Sequence, residues 1–429
     1  IMSALLTFTI LCSVSISLAQ DAPDCQGSAN NNAVVTDEGS LMSQVSNGKL
    51  YQISGNGAIS PPLSVLHVYG TDYEMGQAAG QLLKDKAVRL INETYQYFDE
   101  QIEKYLIFLS PEEAAIVAQD GVVGILDFVY EAAKPFIPSR YINLMQGMAD
   151  GSGIDYMDIA RVNMIPEAIK AQCSIVGAWG SAIADGYSLL QLRALDWDTD
   201  GPWQQFPLVM VYHPQGNNDG AHAFATLGWT GFVGALSGYG EADIGICEKV
   251  WLGYDGRDSR FGEPFTFVLQ DILWFDSTKE EAITRIQNTP RTCSIWVGVG
   301  DSTTKQVDVI QYSYENATVF NSTSYPVYEP GHPYIEDVIY VNKHKQPSQD
   351  PCLAEILNST TNIDSEYMWK YAAAMSQTGD MHAAVYDYAH RLMYVANAGV
   401  YNKTSKYAQP AYERPFVRLN MSRLFGETM

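Results

Sequence analysis

From Cys173 onward the chain is cut into short β-rich stretches, and that pattern limits what it can fold into more than any other feature. SIVGAWGSAIA, YSLLQLRAL, PLVMVYH, HAFATLGWTGFVGAL, IGICEKVW, CSIWVGVGD, QVDVIQYSY and EDVIYVN follow one another between Gly, Asp and Asn turns. One helical stretch, TKEEAITRIQNT, interrupts them, and MHAAVYDYAHRLMYVANAG reads as two further strands. Upstream the spacing is helical instead. In GTDYEMGQAAGQLLKDKAVRLINETYQYFDEQIEKYL, residues Met75, Leu82, Leu83, Val88 and Leu90 fall on overlapping turns. SPEEAAIVAQDGVVGILDFVYEAAKPF opens with Ser110 as N-cap, Pro111 at the first helical position and Glu113 at the third, a capping box. A third helical zone, YMDIARVNMIPEAIKA, runs up to Cys173, while residues 20–60 read as irregular. Helices followed by many antiparallel-looking strands predict an α+β protein in which stacked sheets are covered by helices.

Composition supports a large core and narrows the partners. The 429 residues are 46% hydrophobic and only 17% charged, which excludes a disordered chain. The formal charge of −23 excludes nucleic acid as a partner, because nothing could neutralise a row of phosphates. Such acidity either solubilises the surface or suits an acidic compartment, where protonation relieves self-repulsion.

Residues 1–19, IMSALLTFTILCSVSISLA, read as a signal peptide with Ser17 and Ala19 at the −3 and −1 positions of a cleavage site. No later segment reaches the ~18 to 20 uninterrupted apolar residues that span a bilayer, so no transmembrane anchor is expected. Six N-x-S/T sequons, at Asn92, Asn316, Asn321, Asn358, Asn402 and Asn420, agree with passage through the secretory pathway to a lysosome or the cell exterior. Beyond the leader stand five cysteines, Cys25, Cys173, Cys247, Cys293 and Cys352. An odd number in an oxidising compartment means either pairing between molecules or one thiol kept free for chemistry.

Cys173 is the candidate. It precedes a β-like run that meets a strong two-residue turn signal, Asp185-Gly186, and returns through Arg193 and Asp196. A turn centred on that dipeptide predicts Asp196 opposite Ile175 and Arg193 opposite Ala178, so a bulge or strand end is needed for both to serve one site. A thiol needs a base, and no histidine lies near Cys173 in sequence. Cutting the Gln172–Cys173 bond would supply one, since an α-amine has a pKa of roughly 7.7 to 8.0. The plain alternative is a buried small hydrophobe beside an ordinary Arg193–Asp196 ion pair. No G-x-S-x-G, H-E-x-x-H, C-x-x-C or G-x-x-x-x-G-K-[ST] motif occurs, so competing chemistries have no carrier.

The pattern C…DG…R-x-x-D behind a helical propiece resembles the N-terminal-nucleophile (Ntn) cysteine hydrolases of the acid ceramidase, N-acylethanolamine acid amidase and choloylglycine hydrolase group. GWTGFVGALSGYGEADIGICEKVW is similar to the acid ceramidase-type segment that ends in a glutamate-bearing strand. YEMGQAAGQL and DGSGIDYMDIARVNMIPE resemble the propiece of penicillin acyltransferase-like proteins. The likeness runs from about residue 65 to residue 400.

This resemblance implies a four-layer αββα sandwich with a mainly helical N-terminal subunit. It implies a precursor that divides at Gln172–Cys173 into an α-subunit, residues 20–172, and a β-subunit, residues 173–429, forming a heterodimer from one zymogen. Cys173 would be both the autoproteolytic and the catalytic nucleophile, with Arg193 and Asp196 around it. Glu248 matches the family glutamate and Asn342 the asparagine whose amide donates to the oxyanion. The family arginine after that asparagine has no match beyond Lys343 and Lys345, and Gln172 departs from the usual residue before the cut. Cys25 and Cys352 resemble the positions that tie the two subunits together, while Cys247 and Cys293 either bridge or stay reduced.

The implied activity is hydrolysis of an amide bond in an N-acylated small-molecule or lipid substrate, with no cofactor and no metal. Trp179, Trp197, Trp229, Phe232 and Trp251 are candidates to line an acyl pocket, against a plain core role for each. The alternatives are a phospholipase B-like esterase or an acyltransferase of the same fold, and a non-catalytic lumenal lipid-binding protein.

Overall fold

A computed structural model describes residues 25–105, 111–169, 171–216, 220–400 and 408–429. The signal peptide, Ser110 and Asn402 lie outside the described residues.

The first strands form where the sequence reads as irregular. β1 (Ser40–Val45), β2 (Gly48–Ile53) and β3 (Leu63–Gly70) precede the helices. β1, SLMSQV, is exposed and its apolar residues do not alternate, so no period-2 pattern reveals it. Four helices follow: α1 (Asp72–Tyr105), α2 (Pro111–Ala133), α3 (Ser139–Ser152) and α4 (Tyr156–Ala168). α1 and α3 pack backbone to backbone. A Cβ added at Gly76 or Gly80 would collide with the carbonyls of Leu144 or Met148, which explains the small residues in YEMGQAAGQL.

The segment from Cys173 folds into β4 (Gln172–Trp179), β5 (Leu189–Asp196), β6 (Pro207–Pro214), β7 (Phe224–Trp229), β8 (Ser237–Gly240) and β9 (Ile244–Val250). Two helices come next, α5 (Phe265–Phe275) and α6 (Lys279–Asn288), then β10 (Ile295–Asp301), β11 (Gln306–Tyr312), β12 (Ala317–Phe320) and β13 (Val338–Val341). The chain ends with α7 (Cys352–Asn358), α8 (Ser365–Tyr367) continuing as a π-helical turn through Ala373, β14 (His382–Asp387), β15 (Leu392–Asn397), β16 (Val417–Asn420) and α9 (Met421–Phe425). The single helix expected among the strands is therefore joined by α5, α7 and α8.

Ten strands form one sheet in the order β1-β2-β3-β6-β7-β8-β9-β10-β11-β12, and six form the other as β13-β4-β5-β14-β15-β16. Neighbours are antiparallel except β3 and β6, where Val65 pairs with Val209 in parallel. That pairing joins the segment before Cys173 to the segment after it within one sheet. Three apolar clusters fill the spaces between four layers. Val65, Val209 and Leu227 meet Ile175, Leu189 and Ala384 between the sheets. Residues of α1 to α5 cover the outer face of the larger sheet through Leu66, Met210 and Val297. α7 and the turn after α8 cover the smaller sheet through Val176, Leu192 and Val385. The expected αββα arrangement is what the chain adopts.

The hairpin that carries Cys173 differs from the expected one. Nine residues, 180–188, separate β4 from β5. Gly180–Ala182 make a 3-10 turn, and the Ala184 amide donates to the Ile363 carbonyl at 2.8 Å, outside the hairpin. Gly186 has φ +91, as its turn requires, but Asp185-Gly186 closes only part of the loop. The register shifts by three, so Arg193 faces Ile175 instead of Ala178, and Asp196 faces Gln172 instead of Ile175. An odd shift exchanges the faces of the strand.

Candidate active site

Because of that register, Cys173 and Arg193 share the face of β4 and β5 turned toward the larger sheet, and Ser174 and Asp196 share the opposite face. Cys173 and Arg193 are both wholly buried, while Gln172, one residue before the thiol, is exposed. Glu248 approaches from β9. Its Oε1 lies 3.7 Å from Cys173 Sγ and accepts from Arg193 Nη2 at 2.6 Å, and it is 3% exposed. Glu248 Oε2 has no hydrogen-bond partner. The three residues thus form one buried cluster, brought together by sheet stacking from strands remote in sequence.

Arg193 is held from every side. Its Nη1 donates to the Ala194 carbonyl at 2.7 Å, and its Nε donates to Ser237 Oγ at 3.1 Å and the Leu236 carbonyl at 3.3 Å. Ser237 Oγ also hydrogen-bonds His382 Nε2 at 2.8 Å, the donor being set by the imidazole tautomer. His382 is a neutral imidazole. Burial and the Arg193 charge hold its pKa well below the usual range.

Burial pushes the Cys173 thiol up; the Arg193 charge opposes this, and the Glu248 and Asp196 carboxylates add to it. Burial likewise raises Glu248 against the pull of Arg193. A thiol in this state is a poor nucleophile until a proton acceptor takes its hydrogen, and Glu248 is the group placed for that.

Asp196 sits at the end of β5 on the other face. Its Oδ2 accepts from Thr378 Oγ1 at 2.7 Å, and its Oδ1 accepts from the amides of Gly379 at 2.7 Å and Asp380 at 3.2 Å. Ser174 Oγ completes the chain, 2.7 Å from Thr378 Oγ1. Asp380 lies close by with its carboxyl accepting from the Trp197 amide at 2.7 Å, and burial together with the Asp196 charge raises its pKa.

Asn342 follows β13, which pairs with β4, but its side-chain amide is engaged elsewhere. Nδ2 donates to Ser348 Oγ at 3.1 Å and Oδ1 accepts from Gln346 Nε2 at 2.7 Å. Neither side-chain atom bonds Cys173. The aromatic candidates divide as well. Trp197, Trp229 and Phe232 gather with Trp203, whose ring stacks on Trp197 at 4.0 Å, and Trp229 reaches His382 at 5.7 Å. Trp179 and Trp251 belong to the cluster between the sheets.

Cys25 and Cys352 are joined by a disulfide across 327 residues of sequence. Cys247 and Cys293 do not bridge: both are buried free thiols, Cys247 accepting from Gln191 Nε2 at 3.1 Å between the sheets and Cys293 lying in the helix-side core. The five described sequon asparagines, Asn92, Asn316, Asn321, Asn358 and Asn420, are all exposed. Among the described residues no group of three or more His, Cys, Asp or Glu side chains is arranged to hold a metal ion, and no helix is long and apolar enough to cross a membrane.

Sequence reasoning missed Ser237, His382, Lys249, Thr378 and Asp380. Only Lys249 carried a signal, as the neighbour of Glu248. Ser237 lies on β8, His382 opens β14, and Thr378 and Asp380 lie in the loop before it; no spacing links them to Cys173.

No protein-family model matches the chain. Protein dcd1A of Dictyostelium discoideum is 39% identical over 448 aligned positions, covering 100% of this chain and 100% of that protein. Protein dcd1B of the same organism is 40% identical over 403 positions, covering 90% of this chain and 79% of that protein. Solved structures with a looser likeness include penicillin V acylase from Agrobacterium tumefaciens, with a TM-score of 0.40 and 12% identity over 60% of this chain and 89% of that one. A Caenorhabditis elegans ortholog of N-acylethanolamine-hydrolyzing acid amidase has a TM-score of 0.38 and 16% identity over 51% of this chain and 93% of that one.

Proposed function

The chain belongs to the family of Protein dcd1A and Protein dcd1B, and from the chemistry of its own site we propose that it is a self-activating cysteine amidohydrolase. One observation carries this reading: a buried thiol in contact with Glu248 and Arg193 stands one peptide bond from the exposed Gln172. The sequence resemblance to Ntn cysteine hydrolases supports it independently.

In the first step the Cys173 proton passes to Glu248, and the sulfur attacks the Gln172 carbonyl carbon. The tetrahedral intermediate collapses with loss of the C–N bond, and the Cys173 nitrogen takes the proton back from Glu248. The product is a thioester between Gln172 and Cys173 Sγ, with a free α-amine. Water then hydrolyses the thioester, leaving a Gln172 carboxylate and restoring the thiol. The new amine emerges across the strand pair from Asp196, whose carboxylate is already fixed by three donors. In turnover that amine is the base, poised near pH ~7.7 to 8.0 before the protein shifts it. The thiol attacks the carbonyl of an N-acyl substrate, the leaving amine takes the proton, and water opens the acyl-enzyme. A centre that cuts its own amide is built for amides, which favours N-acylated lipid or acyl-amino substrates over esters. Five exposed sequons support a secretory route to the lysosome or the exterior.

Sequencing the purified mature protein tests the reading. A second piece should begin CSIVGAW, and gels should show one band without reductant and two with it, because the Cys25–Cys352 disulfide joins the pieces. Cys173→Ala should remain one chain and hydrolyse no member of a panel of N-acyl amino acids and N-acylethanolamines. Normal processing of Cys173→Ala would overturn the scheme.

A further inference from the structure

Lys249 is wholly buried next to Glu248 on β9. Its Nζ donates to two backbone carbonyls, Val250 and Lys343, each at 3.2 Å, and makes no ion pair among the described residues. Glu248, the nearest carboxylate in sequence, is taken by Arg193. The Lys343 carbonyl fixes where the ammonium stands. β13 pairs with β4 so that Val341 faces Ile175, and continuing this register brings Lys343 level with Cys173. The charges acting on Lys249 are Cys173 from β4, Asp196 from β5 and Glu248 from β9; Arg193 and Lys343 are the neighbouring cations, and on β10 the facing residue is Trp296. A buried ammonium without a counter-ion is expensive to keep, unless negative charge appears beside it during the reaction.

Resting on the self-cleavage reading above, we propose that Lys249 is a positioning residue of the Cys173 centre: an ammonium stationed on the Lys343 carbonyl that stabilises the negative charge of the thiolate and of the tetrahedral intermediate. Arg193 shares this task, since its guanidinium is also bound to Glu248 at 2.6 Å. Lys249 transfers no proton and bonds no reacting atom. It acts through the field it supplies to a site that excludes water. Burial also lowers its pKa to about 8, so its charge, and with it this support, fades in mildly alkaline solution.

The test follows conversion of the purified full-length chain to the piece beginning at Cys173, a readout that needs no substrate, from pH 5 to pH 10. Lys249→Met should slow conversion at least tenfold at pH 6 while the Cys25–Cys352 disulfide and the circular dichroism spectrum stay as in the wild type. Lys249→Arg, charged throughout, should keep a rate within a few-fold at pH 6 and extend conversion above pH 8, where the wild type declines. The inference is overturned if Lys249→Met keeps pace with the wild type, or if Lys249→Arg shows the same alkaline decline. The second comparison decides the matter even where the methionine variant does not fold. A wild type that never divides at Cys173 overturns the parent reading and the inference together.

Discussion

In the proposed mechanism Glu248 takes the first proton, because it contacts the thiol and binds the arginine beside it. Replacing it with glutamine preserves shape and an acceptor for Arg193 while removing the proton acceptor. Glu248→Gln should therefore slow self-cleavage by on the order of 100-fold or more, the usual weight of a general base. The stability cost should be on the order of 3 kcal/mol or less, since Arg193 keeps its bonds to Ala194, Leu236 and Ser237. Timed gels and urea titration measure the two effects, and unchanged self-cleavage would remove Glu248 from the mechanism. Cys173, Arg193 and Glu248 were legible in the sequence as a resemblance, and the structure brings them together. Ser237 and His382 were not legible, because Ser237 reaches Arg193 across the stacked sheets from 44 residues away and His382 joins through Ser237 from 145 residues further on, and no local pattern encodes such distances.

At the scale of elements, the site depends on how closely the two sheets approach. Gly298 on β10 faces Cys247, and a Cβ placed there would lie 2.5 Å from Cys247 Sγ and 2.9 Å from Ile175 Cγ2. Ile175 belongs to β4, two residues from Cys173, so pushing it outward moves the strand that carries the thiol. Gly298→Ala should destabilise the protein by roughly 1 to 3 kcal/mol through overpacking. It should also slow self-cleavage, although its nearest contacts are Cys247 and Ile175 and not Cys173. Wild-type rates and stability in that variant would show that the sheets can part without disturbing Cys173. The elements differed in how readable they were. α6 announces itself through the Thr278 and Glu281 capping box, which the structure contains. α5, FTFVLQDILWF, is buried on nearly all sides and so lacks the polar face that makes a helix visible. The β4–β5 hairpin misleads because Ile183 and Ala184 bond to Ile363 instead of to the returning strand, so the Asp-Gly signal marks a turn but not the register.

For the whole molecule, the balance of buried ionisable groups sets where in pH the fold is most stable. Burial raises Glu263 to about 7 and, with the Asp196 charge, Asp380 to about 8. Their folded pKa values exceed the unfolded ones, so their contribution is complete below about pH 4 and is lost as pH rises through 7 and 8. The buried histidines act in the other direction. His67 falls to about 3 and His213 to about 4, chiefly through burial, so their contribution is complete above about pH 6.5 and is lost as pH falls toward those values. The two trends oppose each other between about pH 4 and 6.5, so the melting temperature should stay nearly level there and fall between about pH 6.5 and 8. Each proton contributes at most about 1.4 kcal/mol per pH unit, so Asp380 alone should cost on the order of 2 kcal/mol between pH 6.5 and 8. Calorimetry on Cys173→Ala, which keeps both halves in one chain, measures this at fixed ionic strength. Asp380→Asn should flatten the decline above pH 6.5, and His67→Phe should make the melting temperature fall with rising pH already below it. A melting temperature that climbs steadily from pH 6.5 to 8.5 would contradict the assignment. The net charge of −23 announced an acidic protein, but whether that acidity was only a solvated surface was not legible from it. Glu263 and Asp380 are half-buried where the sheets and helices close, and they tie the pH response to the packing of the fold.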